Sequence, residues 1–211
     1  DEHNFKNFSD YMVMSGPGFA ADIKIGKETH LTATDQRIVD LFETDFLTFD
    51  LTTDIRGAMM CGALKNIMAL ASGISTGLGY GDNAKAALIT RGLAEMKRLG
   101  IRMGCRSETF SGLAGMGDMI VTATSMHSRN NRCGMLIGQG RSVSDAIKEV
   151  GMVVEGIHAI PAGVALAQMY DIDMPIVQAV NAIVNEGRDP GQTVTQLMLR
   201  DSRPEADDDN V

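Results

Sequence analysis

Cys61-Gly62-Ala63-Leu64-Lys65-Asn66-Ile67-Met68-Ala69-Leu70-Ala71 is apolar or small on every side of the helical period, and it carries one cation and one amide side by side. The run starts near Ile55, so the pattern predicts a helix buried all round. A lysine inside such a helix either threads its four-carbon stem to the surface or stands as a desolvated ammonium. In the second case its pKa falls from about 10.4 towards the range where protons are exchanged near neutral pH. Lys65 is then a candidate acid/base, and Asn66 beside it can donate to a substrate oxygen. On spacing alone, snorkelling is the simpler reading.

Ahead of this helix the period is different. Tyr11 to Met14 reads as a strand running into the turn Ser15-Gly16-Pro17-Gly18; Thr29 to Thr34 reads as a second strand, and Phe46 to Leu51 as a third. Asp35 caps a helix to Phe42 between the last two, a pattern that fits part of an α/β sheet. From Asp54 onward helix follows helix. Gly73 to Gly81 is expected to be a flexible connection. Asp82 caps a helix to about Met103, Ser107 caps the next, and Ser142 with Asp145 makes a capping pattern whose helix stops at Gly151. Later helices are expected over 156–170 and 176–186, and Pro190 opens a last one reaching Leu199. The expected division is 1–53, 54–200 and an acidic, disordered tail over 201–211.

Bulk composition narrows the function classes. The formal charge of −8 at pH 7 leaves no clustered basic face, so nucleic-acid binding is unsupported. No apolar run of membrane-span length and no signal-peptide pattern are read, so a cytoplasmic protein without membrane contact is expected. Cys61, Cys105 and Cys133 are scattered and odd in number, which suits a reducing compartment. His3, His30, His127 and His158 are equally dispersed, so no metal is assigned.

Gly16-Pro17-Gly18-Phe19-Ala20-Ala21 formally matches the dinucleotide fingerprint, but the segment after it is too short, before Gly26, to aim a helix N-terminus at a pyrophosphate. The turn can still line a pocket with its backbone N–H groups. Gly115-Met116-Gly117-Asp118-Met119-Ile120-Val121-Thr122 puts Asp118 and Thr122 on one helical face. Beyond it, Ser128-Arg129-Asn130-Asn131-Arg132 joins a forked guanidinium to amides, a combination that can hold a phosphate dianion or simply solvate a loop. Glu155 opens a helix, where an acid is favoured by the helix dipole in any case.

Taken in order, Ser15 to Ala20, Gly62-Ala63-Leu64-Lys65-Asn66, Gly77 to Lys85, Gly117-Asp118, Ser128-Arg129-Asn130 and Val153-Val154-Glu155-Gly156 resemble the NAD(P)-dependent glycerol-3-phosphate dehydrogenases, in the bacterial-type branch. The resemblance implies an α/β remnant of a Rossmann-type nucleotide-binding domain, followed by an all-α substrate domain like the C-terminal domain of 6-phosphogluconate dehydrogenase. It implies a cleft between the two, a homodimer, and NAD or NADP as cofactor. The reaction implied is hydride transfer between the cofactor and dihydroxyacetone phosphate, giving glycerol 3-phosphate for phospholipid synthesis. By motif, Lys65 is the general acid/base. Gly16, Gly18, Asn66, Asp118, Thr122, Ser128, Arg129 and Asn130 meet substrate, and Ala20, Arg129, Val153 and Glu155 meet cofactor. Gly18 stands where the family often has Ser or Thr. The family's opening Gly-rich loop and its other substrate lysine have no counterpart here, so these 211 residues are expected to be inactive by themselves. Two alternatives stand beside this: a non-catalytic helical dimerisation or binding module, and another β-hydroxyacid dehydrogenase.

Overall fold

The first strand is only two residues long. β1 (Met14–Ser15) pairs antiparallel with β2 (Thr29–Ala33), which pairs parallel with β3 (Leu47–Leu51), in the order β1-β2-β3. A computed structural model of the chain describes residues 11–200, so the acidic tail expected over 201–211 lies outside the described residues. Two helices belong to this sheet module. α1 (Ala20–Lys24) is a single short turn after the Gly-Pro-Gly stretch, too short for the dinucleotide cradle, as its sequence indicated. α2 (Gln36–Phe42) is capped by Asp35, whose carboxylate accepts the Arg37 backbone N–H.

Every element after Leu51 among the described residues is helical. α3 (Ile55–Gly77) is followed by α4 (Asp82–Arg102), α5 (Ser107–Ser111), a π-helical turn (Leu113–Gly117), α6 (Asp118–Thr124), α7 (Arg129–Gly138), α8 (Val143–Val150), α9 (Glu155–Met169), α10 (Pro175–Val184) and α11 (Pro190–Met198). The Ser142 cap and the left-handed Gly151 stop of α8 fall where expected. Asp82 and Ser107 each sit one position inside their helices, behind Gly81 and Arg106.

α3 is the axis of the helical body. Its Ile67, Met68, Leu70 and Ile74 are fully buried against Met96 and Leu99 of α4, Phe110, Met119, Ile160 and Val177. Each such side chain contributes roughly 1.5–3 kcal/mol of burial. Contrary to the sequence reading, α3 does reach membrane-span length and apolarity. Its most apolar stretch is 72% buried by the surrounding helices, so its apolarity is spent on the protein's own core.

The expected flexible connection over Gly73 to Gly81 is also corrected: α3 continues through Gly77, and only Leu78 to Gly81 link it to α4. The glycines serve a close crossing instead. A Cβ on Gly73 would lie 2.0 Å from the Asn131 carbonyl oxygen, and one on Gly77 2.2 Å from that of Met135. Reciprocally, a Cβ on Gly134 of α7 would lie 2.1 Å from the Leu70 carbonyl oxygen. Backbone meets backbone along this seam, which fixes where the start of α7 stands relative to α3.

The N-terminal end of α3 is held as firmly. Asp54 accepts the Gly57 N–H on one carboxylate oxygen at 2.9 Å, and the Arg106 N–H and Thr109 hydroxyl on the other at 2.9 and 2.7 Å. One buried side chain thus caps α3 and ties it to α5. All three cysteines are buried and free. Burial pushes the Cys61 thiol up to about 12, which makes it an inert packing group.

Candidate active site

Four helices and one turn converge on a cleft of about 300 Å³. α3 brings Lys65 and Asn66, α6 brings Asp118 and Thr122, and the start of α7 brings Ser128, Arg129 and Asn130. Gly18 and Phe19 line it from the sheet module, and Glu155 from the start of α9.

Lys65 does not snorkel. Its Nζ donates to Asp118 Oδ2 at 2.5 Å, and the two side chains are 21% and 5% exposed. The π-helical turn directly precedes Asp118 and sets the phase with which α6 begins. Two further groups support Asp118: Thr122 Oγ1 donates to its backbone carbonyl at 2.6 Å and reaches Oδ1 at 3.3 Å, and the Gly16 backbone N–H donates to its carboxylate from the sheet module. Burial raises the Asp118 pKa, and Lys65, Thr122 and Gly16 oppose that rise. Gly16 reaches this position with φ of 140°, and a Cβ on it would lie 3.1 Å from the Leu31 α-carbon, a place where a side chain would be strained.

The amides form a chain across three helices. Asn66 Nδ2 donates to the Gly62 carbonyl at 3.1 Å and its Oδ1 accepts Asn130 Nδ2 at 2.9 Å; Asn130 Oδ1 in turn accepts the Gly156 N–H at 2.8 Å. Asn130 is therefore engaged at both ends and almost wholly buried. Ser128 caps α7 by accepting the Asn131 N–H, while Asn131 Nδ2 donates to the Ala123 carbonyl at the end of α6. Arg129 lies across to Glu155: its Nε donates to Oε2 at 2.7 Å and Nη2 faces Oε1.

Nine of the residues singled out from sequence meet at this cleft: Gly18, Lys65, Asn66, Asp118, Thr122, Ser128, Arg129, Asn130 and Glu155. Gly16 acts on it through Asp118. Ala20 and Val153 do not line it. Ala20 begins α1, and Val153 is 64% exposed beside Met152, Ile147 and Ile157 at a separate apolar hollow. Phe19, Val121 and His127 line the cleft without having been singled out. The rings of Phe19 and His127 meet edge to face, with centroids 5.9 Å apart. The sequence signal for His127 was its place directly before Ser128-Arg129-Asn130.

The helical body and its clasped lysine, set beside a three-stranded α/β module, have the build of the C-terminal part of a dehydrogenase. The crystal structure of a glycerol-3-phosphate dehydrogenase from Coxiella burnetii matches this fold with a TM-score of 0.86 at 37% identity, over 90% of this chain and 60% of that one. The model of the NAD-dependent glycerol-3-phosphate dehydrogenase C-terminus matches residues 54–195, and the chain belongs to that family. It is 53% identical over 201 residues to a glycerol-3-phosphate dehydrogenase (NAD(P)+) of Lactobacillus delbrueckii subsp. bulgaricus, and 46% identical over 205 residues to one of Bacillus subtilis. These alignments cover 92% and 94% of this chain but 60% and 59% of the relatives, so the chain spans about three-fifths of their length.

Proposed function

We propose that this chain supplies the substrate half of a glycerol-3-phosphate dehydrogenase, with Lys65 as the general acid/base. The observation that carries the proposal is the Lys65–Asp118 pair at 2.5 Å in a polar cleft of a size suited to a three-carbon phosphate ester. Lys65 delivers its proton to the carbonyl oxygen of dihydroxyacetone phosphate, or takes one from the C2 hydroxyl of glycerol 3-phosphate in reverse. Asp118 holds the Lys65 ammonium over that oxygen and so acts as a positioning residue, with Thr122 and Gly16 holding Asp118 in turn. Asn66, Ser128, Arg129 and Asn130 shape the phosphate end, where the start of the ten-residue α7 favours an anion.

NAD or NADP, when bound, supplies or receives the hydride. The residues described fit one end of such a cofactor: the backbone of Gly16 to Ala20 at the end of β1, and Arg129 with Glu155 at the cleft. Val153, on the same approach to α9, is assigned to that end as well. The domain division at 53/54, a cytoplasmic setting and a homodimer belong to the same reading, as does a role in phospholipid precursor synthesis.

The test is turnover of dihydroxyacetone phosphate with NADH or NADPH in the enzyme that contains this chain. Substrates lacking the phosphate should react poorly, and an enzyme that prefers them is a different β-hydroxyacid dehydrogenase. A second reading, a helical binding module without catalysis, rests on the chain's three-fifths span of its relatives. Calorimetric titration of the 211 residues with NADH and glycerol 3-phosphate separates the two, because the module reading requires that no ternary complex forms.

A further inference from the structure

We propose that Gly156, which is buried and does not line the cleft, is a positioning residue for the substrate: its backbone N–H sets the polarity of the Asn130 and Asn66 amides, so that both turn N–H groups, and no oxygen, to the phosphate. This deepens the substrate assignment above and rests on it. An asparagine amide can be turned end for end with little change of shape, so amides select an anion only where something decides which end faces it. Here both ends of the chain of amides decide it. The Gly156 N–H can only donate, so the atom 2.8 Å from it is Asn130 Oδ1. Asn130 Nδ2 then meets Asn66 Oδ1 at 2.9 Å, which leaves Asn66 Nδ2 for the Gly62 carbonyl at 3.1 Å, a group that can only accept. Turning either side chain over would set like against like at both of its contacts. Each amide therefore spends its oxygen within the chain and keeps one Nδ2 hydrogen beyond it, and both residues line the cleft.

Only a glycine brings the N–H this close. A Cβ at position 156 would lie 2.5 Å from the Asn66 carbonyl oxygen and 3.1 Å from Asn130 Oδ1. The start of α9 thus packs on the backbone of Asn66 while it donates to the side chain of Asn130. The N–H is available because Gly156 is the second residue of α9, where a peptide N–H has no partner within its helix, and the N-cap residue Val154 makes no side-chain bond. Asn130 fills that place from α7. One bond therefore caps α9 and fixes the amide, two roles that substitution can separate.

The experiment follows dihydroxyacetone phosphate kinetics and thermal melts in the enzyme that contains this chain, with Gly156→Ala alone and with Gly156→Ala joined to Val154→Thr. Threonine has nearly the volume of valine, and its hydroxyl gives α9 a cap of its own. Alanine is expected to raise KM about tenfold with kcat little changed, because the phosphate keeps its charge through hydride transfer and is gripped equally in ground and transition states. Val154→Thr should then restore the melt but not KM. An unchanged KM in Gly156→Ala overturns the role of Gly156 and leaves the substrate assignment standing. Recovery of KM together with the melt also overturns it, since the bond would then be a cap and nothing more. In the unsubstituted enzyme carrying isotope-labelled asparagine, one Nδ2 proton each of Asn66 and Asn130 should shift in the NMR spectrum on adding sn-glycerol 3-phosphate. No shift at either overturns the proposal even where the alanine variant fails to fold. No turnover of dihydroxyacetone phosphate by the unsubstituted enzyme overturns this proposal and the substrate assignment together.

Discussion

Asp118 in the cleft and Glu95 at the contact of α4 with α10 are both carboxylates sunk in the helical body, and burial raises the pKa of each. Their company differs. Glu95 meets backbone: Oε1 accepts the Ile176 N–H at 2.8 Å and Oε2 that of Val177 at 3.4 Å, so α4 caps the start of α10, whose own N-cap residue Met174 provides no side-chain bond. Asp118 meets a lysine, a hydroxyl and a backbone N–H from another module, at the wall of an open cleft. A raised carboxylate pKa by itself therefore does not distinguish a helix cap from a catalytic support. The partners do: groups that can reach a ligand on one side, peptide N–H groups in a closed core on the other.

The sharpest test of that distinction is Lys65→Ala. In the enzyme that contains this chain, turnover should fall at least about 100-fold, since a positioned acid/base supplies that much or more, while the fold should persist because the deprived Asp118 can take up a proton. Steady-state kinetics with a circular dichroism melt checks both halves. Near-normal turnover would remove the cleft from the chemistry and leave Asp118 as structural as Glu95.

Next in size is Glu95→Gln, which should leave turnover alone and change how stability depends on pH. The folded pKa of Glu95, about 7, lies above its ordinary 4.5, so the fold favours the neutral carboxyl. That contribution is whole below about 4.5 and is lost as pH rises through about 7, a change of roughly 3 kcal/mol. Glutamine stays neutral and can still accept the Ile176 N–H, so the difference in stability between variant and parent should grow in the variant's favour across that window. Denaturant unfolding at several pH values measures it, and a constant difference would show that Glu95 is ionised in the fold.

Much of this arrangement was legible beforehand, and the failures have physical reasons. The strand-to-helix change near Asp54, the Ser142 cap and the Gly151 stop are local patterns, and they fall where the chain places them. Lys65, Asp118 and Arg129 were legible as candidates because a cation in an apolar run and a polar knot contrast with their surroundings. Gly73 and Gly77 were misread as a flexible connection because a glycine that frees the chain and one that admits another backbone are identical in sequence; only α7 tells them apart. Glu95 gave no signal at all, since Glu95, Lys97 and Arg98 look like an ordinary charged helix face until α10 covers the acid. His127 was passed over because a lone histidine in a loop usually means nothing, and only the fold brings it to the cleft wall against Phe19, more than a hundred positions away in the chain.

Asp118→Asn asks whether Asp118 only positions Lys65. Asparagine keeps an oxygen to accept from Gly16 and Thr122 but loses the charge that draws Lys65 to it. Turnover should fall about 10- to 100-fold, less than for Lys65→Ala, because the proton donor remains while its alignment loosens. A loss as deep as that of Lys65→Ala would make the pair a single proton-handling unit and strengthen the contrast with Glu95.

The smallest expected effect comes from Thr122→Val, and it tests whether the support of Asp118 is graded. The Thr122 hydroxyl donates at 2.6 Å to a main-chain carbonyl one turn back and only at 3.3 Å to the carboxylate, so its main bond is to its own helix. Valine fills nearly the same volume and removes both bonds. Asp118 keeps Lys65 and Gly16, and its carbonyl keeps its place in the helix, so the cost should be about 1 kcal/mol of stability and less than tenfold in turnover. With one opposing group gone, the Asp118 pKa should rise further, displacing the acid limb of the rate profile to higher pH. A pH–rate profile beside a denaturant melt reads both. If turnover falls as far as in Asp118→Asn, the long contact is the one that holds the carboxylate in register, and the ranking of its supports by distance is wrong.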